Sequence, residues 1–491
     1  MASNGPVVQT QAGAVRGENA DGATRFLGIP YAEPPVGPLR FQAPQPRTPW
    51  TGVRECTEYG PTPQRKALAE ITTIPEPSIP GEDTLTLNVF TPAPEDRTAH
   101  LPVLVWIHGG GYVAGSPASP WYDGHSFSRD GVVTVTVGYR LGFDGFGWLP
   151  DAPTNRGVRD WLLALEWVQA NIEAFGGDPQ RVTIAGQSAG GGAIMTLLTS
   201  PAAEGLFHRA VSVSGVPADV PLEDAKELAG NIAQKLGVEL SATGFASVSE
   251  ADLIGAQGFG MGENTATDPM EQLASLGAMD GKLHLGPVID GELLVDTVEA
   301  GIQAGRSAEI PLIFGATRDE FGGAVRHLAG AIDDIPVLEA LGALGLQEDT
   351  ARDYSAALPN LSTQQVVAQY ITDVMFRARM IDWQRLRGAS PTWVYDFDWK
   401  SGASGLSEHC IDVPFIFDVL DAPGCTRVLG ENPPAELASQ VHSAWVQMIE
   451  NGDPGWPQDR TVILGAEDSG SDSLASARVL AANARQAAST H

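Results

Sequence analysis

A serine lies in a short glycine-rich motif that is typical of a covalent nucleophile. Residues 186–190 read Gly-Gln-Ser-Ala-Gly, the G-x-S-x-G pattern, with Ser188 at its centre. Because 56 of the 491 residues are glycine, the motif alone is weak evidence. An apolar strand-like run at 182–185 precedes it, however, and a helical stretch at 193–198 follows it. Such a strand–turn–helix arrangement exposes a serine hydroxyl, and an ordinary glycine-rich turn is the alternative.

A serine hydroxyl is a weak nucleophile until a base accepts its proton, so the chain must also supply a base and an acid that orients it. It has nine histidines. Serine enzymes with this motif follow the chain order serine, acid, histidine, which favours His409 over His327 and His442. A buried structural role is the alternative for His409. Asp319 and Glu320 both follow an apolar strand-like run, and the residues alone do not separate them.

A second glycine-rich loop, at 108–112, follows the apolar run Leu101–Ile107 and reads His-Gly-Gly-Gly-Tyr. The glycine triplet alone is weak evidence because residues 190–192 repeat it. A glycine loop after an early strand can nevertheless present bare backbone N–H groups to a developing oxyanion. Ala189, which follows the serine, would supply a further N–H group. His108 belongs to this loop, so we interpret it as structural rather than as the base.

These residues need a sheet that brings the ends of several strands together. Apolar and β-branched runs alternate with helical patterns, which predicts a mostly parallel sheet covered by helices on both faces. The strand candidates lie at 85–90, 101–107, 132–137, 182–185, 210–213, 310–314 and 393–397. One predicted helix carries Trp161, Leu165, Val168 and Ile172 on one face, and another carries Leu437, Val441, Trp445 and Met448. The apolar run after His409 also reads as a strand.

Length and composition restrict the function classes that are open to the chain. With 491 residues, it forms either two domains or one large α/β domain with long insertions. We find no apolar run long enough for a transmembrane helix, and no signal-peptide pattern. The formal net charge of −30 argues against binding to nucleic acid or to an anionic membrane. An odd, low count of three cysteines indicates a reducing compartment, so we expect a cytoplasmic protein.

Taken together, these motifs resemble the type-B carboxylesterase family, which includes cholinesterases and bacterial para-nitrobenzyl-type esterases. The similarity runs from about residue 15 to residue 457. The segments that carry it are FLGIPYAEPPVGPLRF (26–41), EDTLTLNVFTP (82–92), PVLVWIHGGGY (102–112), NRGVRDWLLALEWVQANIEAFGGDPQRVTIAGQSAGG (155–191), LFHRAVSVSG (206–215), GPVIDGELL (286–294), GATRDEF (315–321) and HCIDVPFIFD (409–418).

The resemblance implies a single α/β-hydrolase domain with a mostly parallel central sheet, in which insertions at about 217–281 and 321–391 form a gorge or cap. It implies a serine carboxylesterase that cleaves neutral esters through an acyl-enzyme, without a metal or a cofactor. The residues that it implies are Ser188 as nucleophile, Glu320 as acid, His409 as base, the N–H groups of Gly110, Gly111 and Ala189 as the oxyanion hole, and Ser214 as a support for the triad. We expect a small-molecule ester or carbamate as substrate, and a monomer or weak homo-oligomer.

The sequence departs from the family pattern beside the nucleophile. Members of the family usually have Glu before the serine, whereas this chain has Gln187. The loss of that negative charge weakens any preference for cationic substrates. The loop at 65–82 also contains no Trp, which cholinesterases use there to hold a quaternary ammonium. Choline esters are therefore poor candidates for the substrate.

Two other functions are compatible with the same fold. A phenmedipham hydrolase-like enzyme would cleave carbamates or amides with the same triad, which by itself does not exclude that activity. A neuroligin-like binding module would keep the fold and lose the catalytic residues, but all three triad positions are filled here. We see no clear lid helix of the kind that a true lipase needs.

Overall fold

A 10-stranded sheet forms the centre of the fold in the computed structural model, which describes residues 5–20, 22–65, 72–258, 268–278, 283–328, 330–466 and 472–489. The strands are β1 (Val7–Gln9), β2 (Ala14–Arg16), β3 (Glu18–Ala20), β4 (Ala23–Pro30), β5 (Val53–Glu55), β6 (Thr86–Thr91), β7 (Leu101–Ile107), β8 (Val133–Val137), β9 (Gly177–Gln187), β10 (Arg209–Val213), β11 (Val220–Pro221), β12 (Val288–Ile289), β13 (Leu312–Thr317), β14 (Thr392–Phe397) and β15 (Val462–Leu464). Each of the seven strand candidates between residues 85 and 397 has a counterpart among them.

The strand order of the large sheet is β15-β14-β13-β10-β9-β7-β8-β6-β4-β3. Neighbours from β15 to β8 pair in parallel, whereas β8, β6, β4 and β3 pair antiparallel. A three-stranded sheet (β1-β2-β5) and the pair β11-β12 complete the strands. Because β7, β9, β10, β13 and β14 run in one direction, the loops that follow them leave the sheet at the same edge.

The helices are α1 (His125–Arg129), α2 (Gly142–Phe146), α3 (Arg156–Asn171), α4 (Ala189–Thr199), α5 (Leu222–Leu236), α6 (Ala242–Ala246), α7 (Glu250–Gln257), α8 (Pro269–Ala278), α9 (Val298–Gln303), α10 (Val337–Ala343), α11 (Glu348–Ala356), α12 (Thr363–Thr372), α13 (Ala378–Arg387), α14 (Val413–Ile416), α15 (Cys425–Leu429), α16 (Ala435–Asn451) and α17 (Ala475–Ser489). Short 3-10 helices lie at Gly37–Leu39, Pro120–Tyr122, Ile172–Phe175, Pro201–Ala203 and Gly322–Leu328, and a π-helical turn at Asp373–Arg377. No helix in the described ranges is long and apolar enough to cross a bilayer.

The central strands are buried on both faces, which explains why they read as continuous apolar runs. In β7 the side chains alternate between two hydrophobic clusters, as the two-residue period of a strand requires. Val103 and Val105 pack in the cluster that contains Trp161 of α3. Trp106 packs in the cluster that contains Trp445 of α16. The two predicted helix faces therefore cover opposite sides of the same sheet.

The apolar run after His409 is helical, so the expectation of a strand there is wrong. Residues Val413–Ile416 form α14, which begins with Pro414 in its first turn. Proline is well tolerated at that position because its missing N–H would have no partner within the helix. A short buried run has the same apolar composition in a helix and in a strand, so the pattern alone could not distinguish them.

A buried ion-pair network holds the π-helical turn against the sheet and against α17. The side chains of Arg377 and Asp373 are 0% exposed, and their Nη1 and Oδ1 atoms are 2.9 Å apart. Arg377 also donates to Asp396 of β14 at 2.8 Å. The hydroxyl groups of Tyr354 and Ser476 donate to Asp373 at 2.8 and 2.6 Å. A buried charge is tolerated only with such compensation, so this network specifies where the turn lies.

We predict that Asp373→Ala lowers the apparent free energy of unfolding by about 3–5 kcal/mol, because it leaves Arg377 buried with one carboxylate fewer. Urea denaturation followed by fluorescence measures this loss. The control is Glu223→Ala, which removes the exposed partner of Lys226 and should change stability little. Equal stability of the two variants would contradict the importance of the network.

Candidate active site

Ser188 lies at a strained turn between the end of β9 and the start of α4. Its backbone φ and ψ are 59° and −125°, a combination that non-glycine residues rarely adopt. The turn is held by hydrogen bonds from the Ser188 N–H to the Val213 carbonyl at 2.8 Å and from the Gly192 N–H to the Ser188 carbonyl at 2.9 Å. A Cβ atom at Gly190 would lie 2.1 Å from the Ile107 carbonyl oxygen, so only glycine fits beside the serine.

His409 lies in the loop after β14, and both its backbone and its side chain contact Glu320. Its backbone N–H donates to the Glu320 carbonyl at 2.8 Å, and its Nδ1 lies 2.5 Å from Glu320 Oε2. The imidazole is 13% exposed. The rings of Phe321 and Phe376 pack against it, with centroid distances of 4.7 and 5.2 Å. The ring orientation is therefore fixed by the carboxylate and by the two phenylalanines.

Glu320 is the acid that faces the imidazole, and Asp319 is not. The Glu320 side chain is 0% exposed, and its Oε1 accepts hydrogen bonds from the Ser214 hydroxyl at 2.7 Å and the Thr317 N–H at 2.8 Å. Its Oε2 is thereby left for His409. Asp319 instead accepts from Lys400 Nζ at 2.6 Å, on a more exposed side of the loop. The structure thus separates two adjacent acids that composition could not.

The second nitrogen of His409 contacts Gln187 rather than Ser188. His409 Nε2 lies 3.1 Å from the side-chain amide nitrogen of Gln187, which is itself buried. Within the described ranges, no hydrogen bond joins the Ser188 hydroxyl to the imidazole. An amide N–H can donate to Nε2 only when that nitrogen carries no proton. The contact therefore fits the neutral ring whose Nδ1–H donates to Glu320.

The glycine loop lies beside the serine and carries backbone N–H groups that have no acceptor among the described residues. Gly110 and Gly111 have φ angles of 114° and 61°, which glycine adopts without strain. A Cβ atom at Gly109 would lie 3.0 Å from Ser188 Cβ, so the loop passes close to the serine. In the part of the chain that the structure describes, the N–H groups of Gly110, Gly111 and Ala189 meet no acceptor. Such unpaired donors can stabilise a negative oxygen beside Ser188.

One cavity of about 550 Å³ adjoins the serine, the imidazole and the glycine loop, and its size suits a small organic molecule. Ser188, His409, Glu320, Gln187, Gly110 and Gly111 all line it. Its apolar lining includes Val113, Val216, Leu283, Phe321, Met375 and Phe376. Its polar lining includes Thr72, Thr73, Glu76, Ser116, Tyr122 and Arg427.

Burial and charge act on the pKa of His409 in opposite directions. Burial disfavours the imidazolium, whereas the adjacent Cys410 and the Glu320 carboxylate favour it, and the pKa of His409 is raised above its usual 6.5. Burial also raises the pKa of the Cys410 thiol. That thiol is therefore neutral at neutral pH and carries no charge. Glu320 is consequently the charge that raises the pKa of His409.

Two other histidines, His108 and His442, lie outside this proton path. His108 is buried, stacks on Tyr139 at a centroid distance of 4.5 Å, and has its pKa lowered to about 3 by burial. His442 on α16 contacts the carbonyl oxygen of Ile416 at 2.7 Å and Asp130 at 3.1 Å. His327 lies in the 3-10 helix Gly322–Leu328. The structural interpretation of His108 thus agrees with its buried, neutral state.

Phe321 and Phe376 were not predicted from the sequence. Phe321 directly follows Glu320, so its position in the sequence could have placed it near the site. Phe376 lies on the π-helical turn, more than fifty residues further along the chain. Nothing in the local pattern relates that turn to His409. Only the packing of the chain brings its ring to the imidazole.

Comparisons with known proteins agree on one family. Residues 4–464 match the model of the carboxylesterase family. The para-nitrobenzyl esterase of Bacillus subtilis (strain 168) is 34% identical, over 94% of this chain and 95% of its own. The phenmedipham hydrolase of Pseudarthrobacter oxydans is 33% identical, over 95% and 96%. The crystal structure of a Geobacillus stearothermophilus carboxylesterase covers 96% of this chain and 99% of its own, with a TM-score of 0.80 and 31% identity.

We predict that Glu320→Gln lowers the pKa of His409, because it removes the charge that stabilises the imidazolium. NMR titration of the histidine ring signals measures the shift, with the His409 signal assigned by its loss in His409→Gln. Asp319→Asn is the matched control, since that carboxylate contacts Lys400 instead of the imidazole. An equal shift in both variants would contradict the assignment of Glu320 as the partner.

Proposed function

The chain belongs to the carboxylesterase family, and from that premise we propose that Ser188, His409 and Glu320 form the triad with which it hydrolyses carboxylic esters. The observation that carries the proposal is the 2.5 Å contact between His409 Nδ1 and Glu320 Oε2. It lies in the same cavity as a serine at a strained strand–helix turn. A buried carboxylate that orients an imidazole toward a serine is the arrangement that activates a hydroxyl for acyl transfer.

In the proposed reaction, the Ser188 oxygen attacks the ester carbonyl carbon while His409 Nε2 takes the hydroxyl proton. For this step the imidazole exchanges its contact with the Gln187 amide for one with the hydroxyl. The resulting imidazolium is stabilised by Glu320 and returns the proton to the departing alcohol oxygen as the carbon–oxygen bond breaks. Water, deprotonated by the same imidazole, then attacks the acyl carbon, and the imidazolium returns the proton to the Ser188 oxygen as its bond to that carbon breaks and the acid is released.

The carbonyl oxygen becomes negative in both tetrahedral intermediates. We assign the backbone N–H groups of Gly110, Gly111 and Ala189 as the donors that stabilise it. Three unpaired donors beside the serine support this role, because donors that are already oriented need no rearrangement as the charge develops. Ser214 acts on the other side of the triad, where its hydroxyl holds the acid in place.

Carbamate hydrolysis is the second candidate, since the phenmedipham hydrolase of Pseudarthrobacter oxydans matches nearly the whole chain. The same serine, histidine and N–H donors would act on a carbamate carbonyl, whose nitrogen makes it a poorer electrophile than an ester. Turnover of an ester, a carbamate and an anilide that share one acyl-side ring separates the two activities. Faster cleavage of the carbamate than of the ester would favour the second candidate.

We propose further that the chain acts as a single α/β-hydrolase domain in the cytoplasm. The insertion at 321–391 supplies Phe321, Gly323, Met375 and Phe376 to the cavity, which supports its role as a wall. The described residues of 217–281 are not among the lining residues, and 259–267 and 279–281 lie outside the described ranges. The three cysteines are all buried and unpaired, as suits a reducing compartment.

We predict that Ser188→Ala lowers kcat by about 10⁴–10⁶-fold, because no other hydroxyl replaces the nucleophile. Release of p-nitrophenol from its acetate measures kcat, and an organophosphate should label wild type at one site per chain, Ser188. The control is Ser128→Ala on α1, a buried serine outside the cavity. Retention of more than about 5% of the turnover by Ser188→Ala, or labelling elsewhere, would exclude the assignment.

A further inference from the structure

The side-chain amide of Gln187 meets the nitrogen of His409 that the proposed reaction uses. The Nε2 atoms of the two side chains are 3.1 Å apart. Gln187 is 1% exposed and is the last residue of β9, where it lies opposite Val213 in the neighbouring strand β10. A side chain at the buried end of a paired strand has little freedom to move, so this amide is held next to the imidazole before substrate binds.

Glu320 determines which atom of the amide faces the ring. The 2.5 Å contact between Glu320 Oε2 and His409 Nδ1 requires a proton on Nδ1, because a carboxylate can only accept a hydrogen bond. The neutral ring therefore has its lone pair on Nε2, to which only the amide nitrogen of Gln187 can donate. The amide oxygen lies instead beside Gly109, where a Cβ atom would approach it to 3.1 Å.

This hydrogen bond favours one charge state of the imidazole. The neutral ring accepts it, whereas the imidazolium carries N–H groups on both nitrogens and would face the amide N–H with a second donor. A hydrogen bond that only the neutral form makes opposes protonation, so it lowers the pKa of His409 relative to a ring held by Glu320 alone. Only the neutral form can take the hydroxyl proton of Ser188.

We propose that Gln187 is a positioning residue for the base, and that its amide extends ester hydrolysis to lower pH by keeping His409 neutral. This inference rests on the proposed function. A glutamate, which the family usually carries before the serine, would act in the opposite direction. Its carboxylate would accept from the imidazolium and could not donate to the neutral ring. The departure of this chain from the family pattern thus predicts a more acidic working range.

Three ionisable groups on the same loop flank the imidazole. Burial raises the pKa of the Cys410 thiol, so the thiol stays neutral in the acidic range. Glu408 lies 3.4 Å from Arg326, which compensates its charge. Burial, and next the charge of the triad carboxylate, raises the pKa of Asp412 to about 7. Asp412 therefore changes its charge in the range where the enzyme works, and the test has to remove it as a variable.

Phe321 and Phe376, which pack on the imidazole from two other elements, carry no charge. Their ring centroids lie 4.7 and 5.2 Å from that of the imidazole. Arg377, which follows Phe376, is bound by two buried carboxylates at 2.9 and 2.8 Å. The carboxylate of Glu320 and the amide of Gln187 therefore remain as the groups that meet the two ring nitrogens.

The test compares two identical substitutions at different places. Gln187→Glu replaces the donor beside the imidazole with a carboxylate, and Gln447→Glu makes the same change on the exposed face of α16. The acid limb of the pH profile of kcat/KM, measured with p-nitrophenyl acetate, should move upward by about 1–2 pH units in Gln187→Glu, because a carboxylate near the ring stabilises the imidazolium. It should stay in place in Gln447→Glu.

Gln187→Met removes the donor without adding a charge. We expect the acid limb to move upward by about 0.3–1 pH unit, which is the effect of losing one ordinary hydrogen bond to the neutral form. NMR titration of the His409 ring signal measures the same shift independently of turnover. Both comparisons are repeated with Asp412→Asn in every protein, where the shifts should persist because the second acid no longer titrates.

Each outcome decides the inference. An acid limb that does not move in Gln187→Glu overturns it, and so does an equal movement in Gln447→Glu. A shift in Gln187→Glu without any shift in Gln187→Met assigns the effect to the added charge and overturns the role of the amide. A lower kcat with an unmoved limb indicates a structural role alone, and loss of the shifts with Asp412→Asn attributes them to that acid; both overturn the inference. Failure of the proposed triad is seen separately, as hydrolysis that survives Ser188→Ala.

Discussion

The site depends on one buried charge, the carboxylate of Glu320. A carboxylate without solvent exposure is costly unless donors compensate for its lost hydration. Here the donors are the Ser214 hydroxyl, the Thr317 N–H and the His409 ring. Two of them hold Oε1, which turns Oε2 toward the imidazole. The need to satisfy one buried acid thereby fixes the ring orientation, its tautomer and much of its basicity.

Three residues around the site have strained backbone conformations. Ser188, Ser214 and Cys410 are non-glycine residues with φ angles of 59°, 45° and 73°. All three lie in or next to the loops that follow parallel strands of the sheet. Positive φ at such residues persists only where the surrounding structure over-determines it. The strands that precede these loops are buried on both faces of the sheet, and they hold the loop residues in these conformations.

The sequence predicted the parts of this arrangement that depend on local pattern. The strands, the serine turn and the glycine loop have local signals, and the family and the fold that the motifs indicated are confirmed by the comparisons. The choice between Asp319 and Glu320 had no local signal, because it depends on Lys400 and on the distant Ser214. The contact between Phe376 and His409 likewise requires a network that joins a helix, a strand and the C-terminal segment. Contacts among several segments that are far apart in the chain produce no repeating pattern in the sequence.

Gln187 acts against Glu320 at the opposite nitrogen of the His409 ring. Glu320 favours the imidazolium, and a base that is already protonated cannot accept the serine proton. The Gln187 amide donates to the free lone pair of Nε2, so its hydrogen bond stabilises the neutral ring. A carboxylate at that position could only accept, and would therefore stabilise the charged ring instead. The two partners thus act on opposite nitrogens and in opposite directions on the pKa of the buried imidazole, Glu320 upward and Gln187 downward.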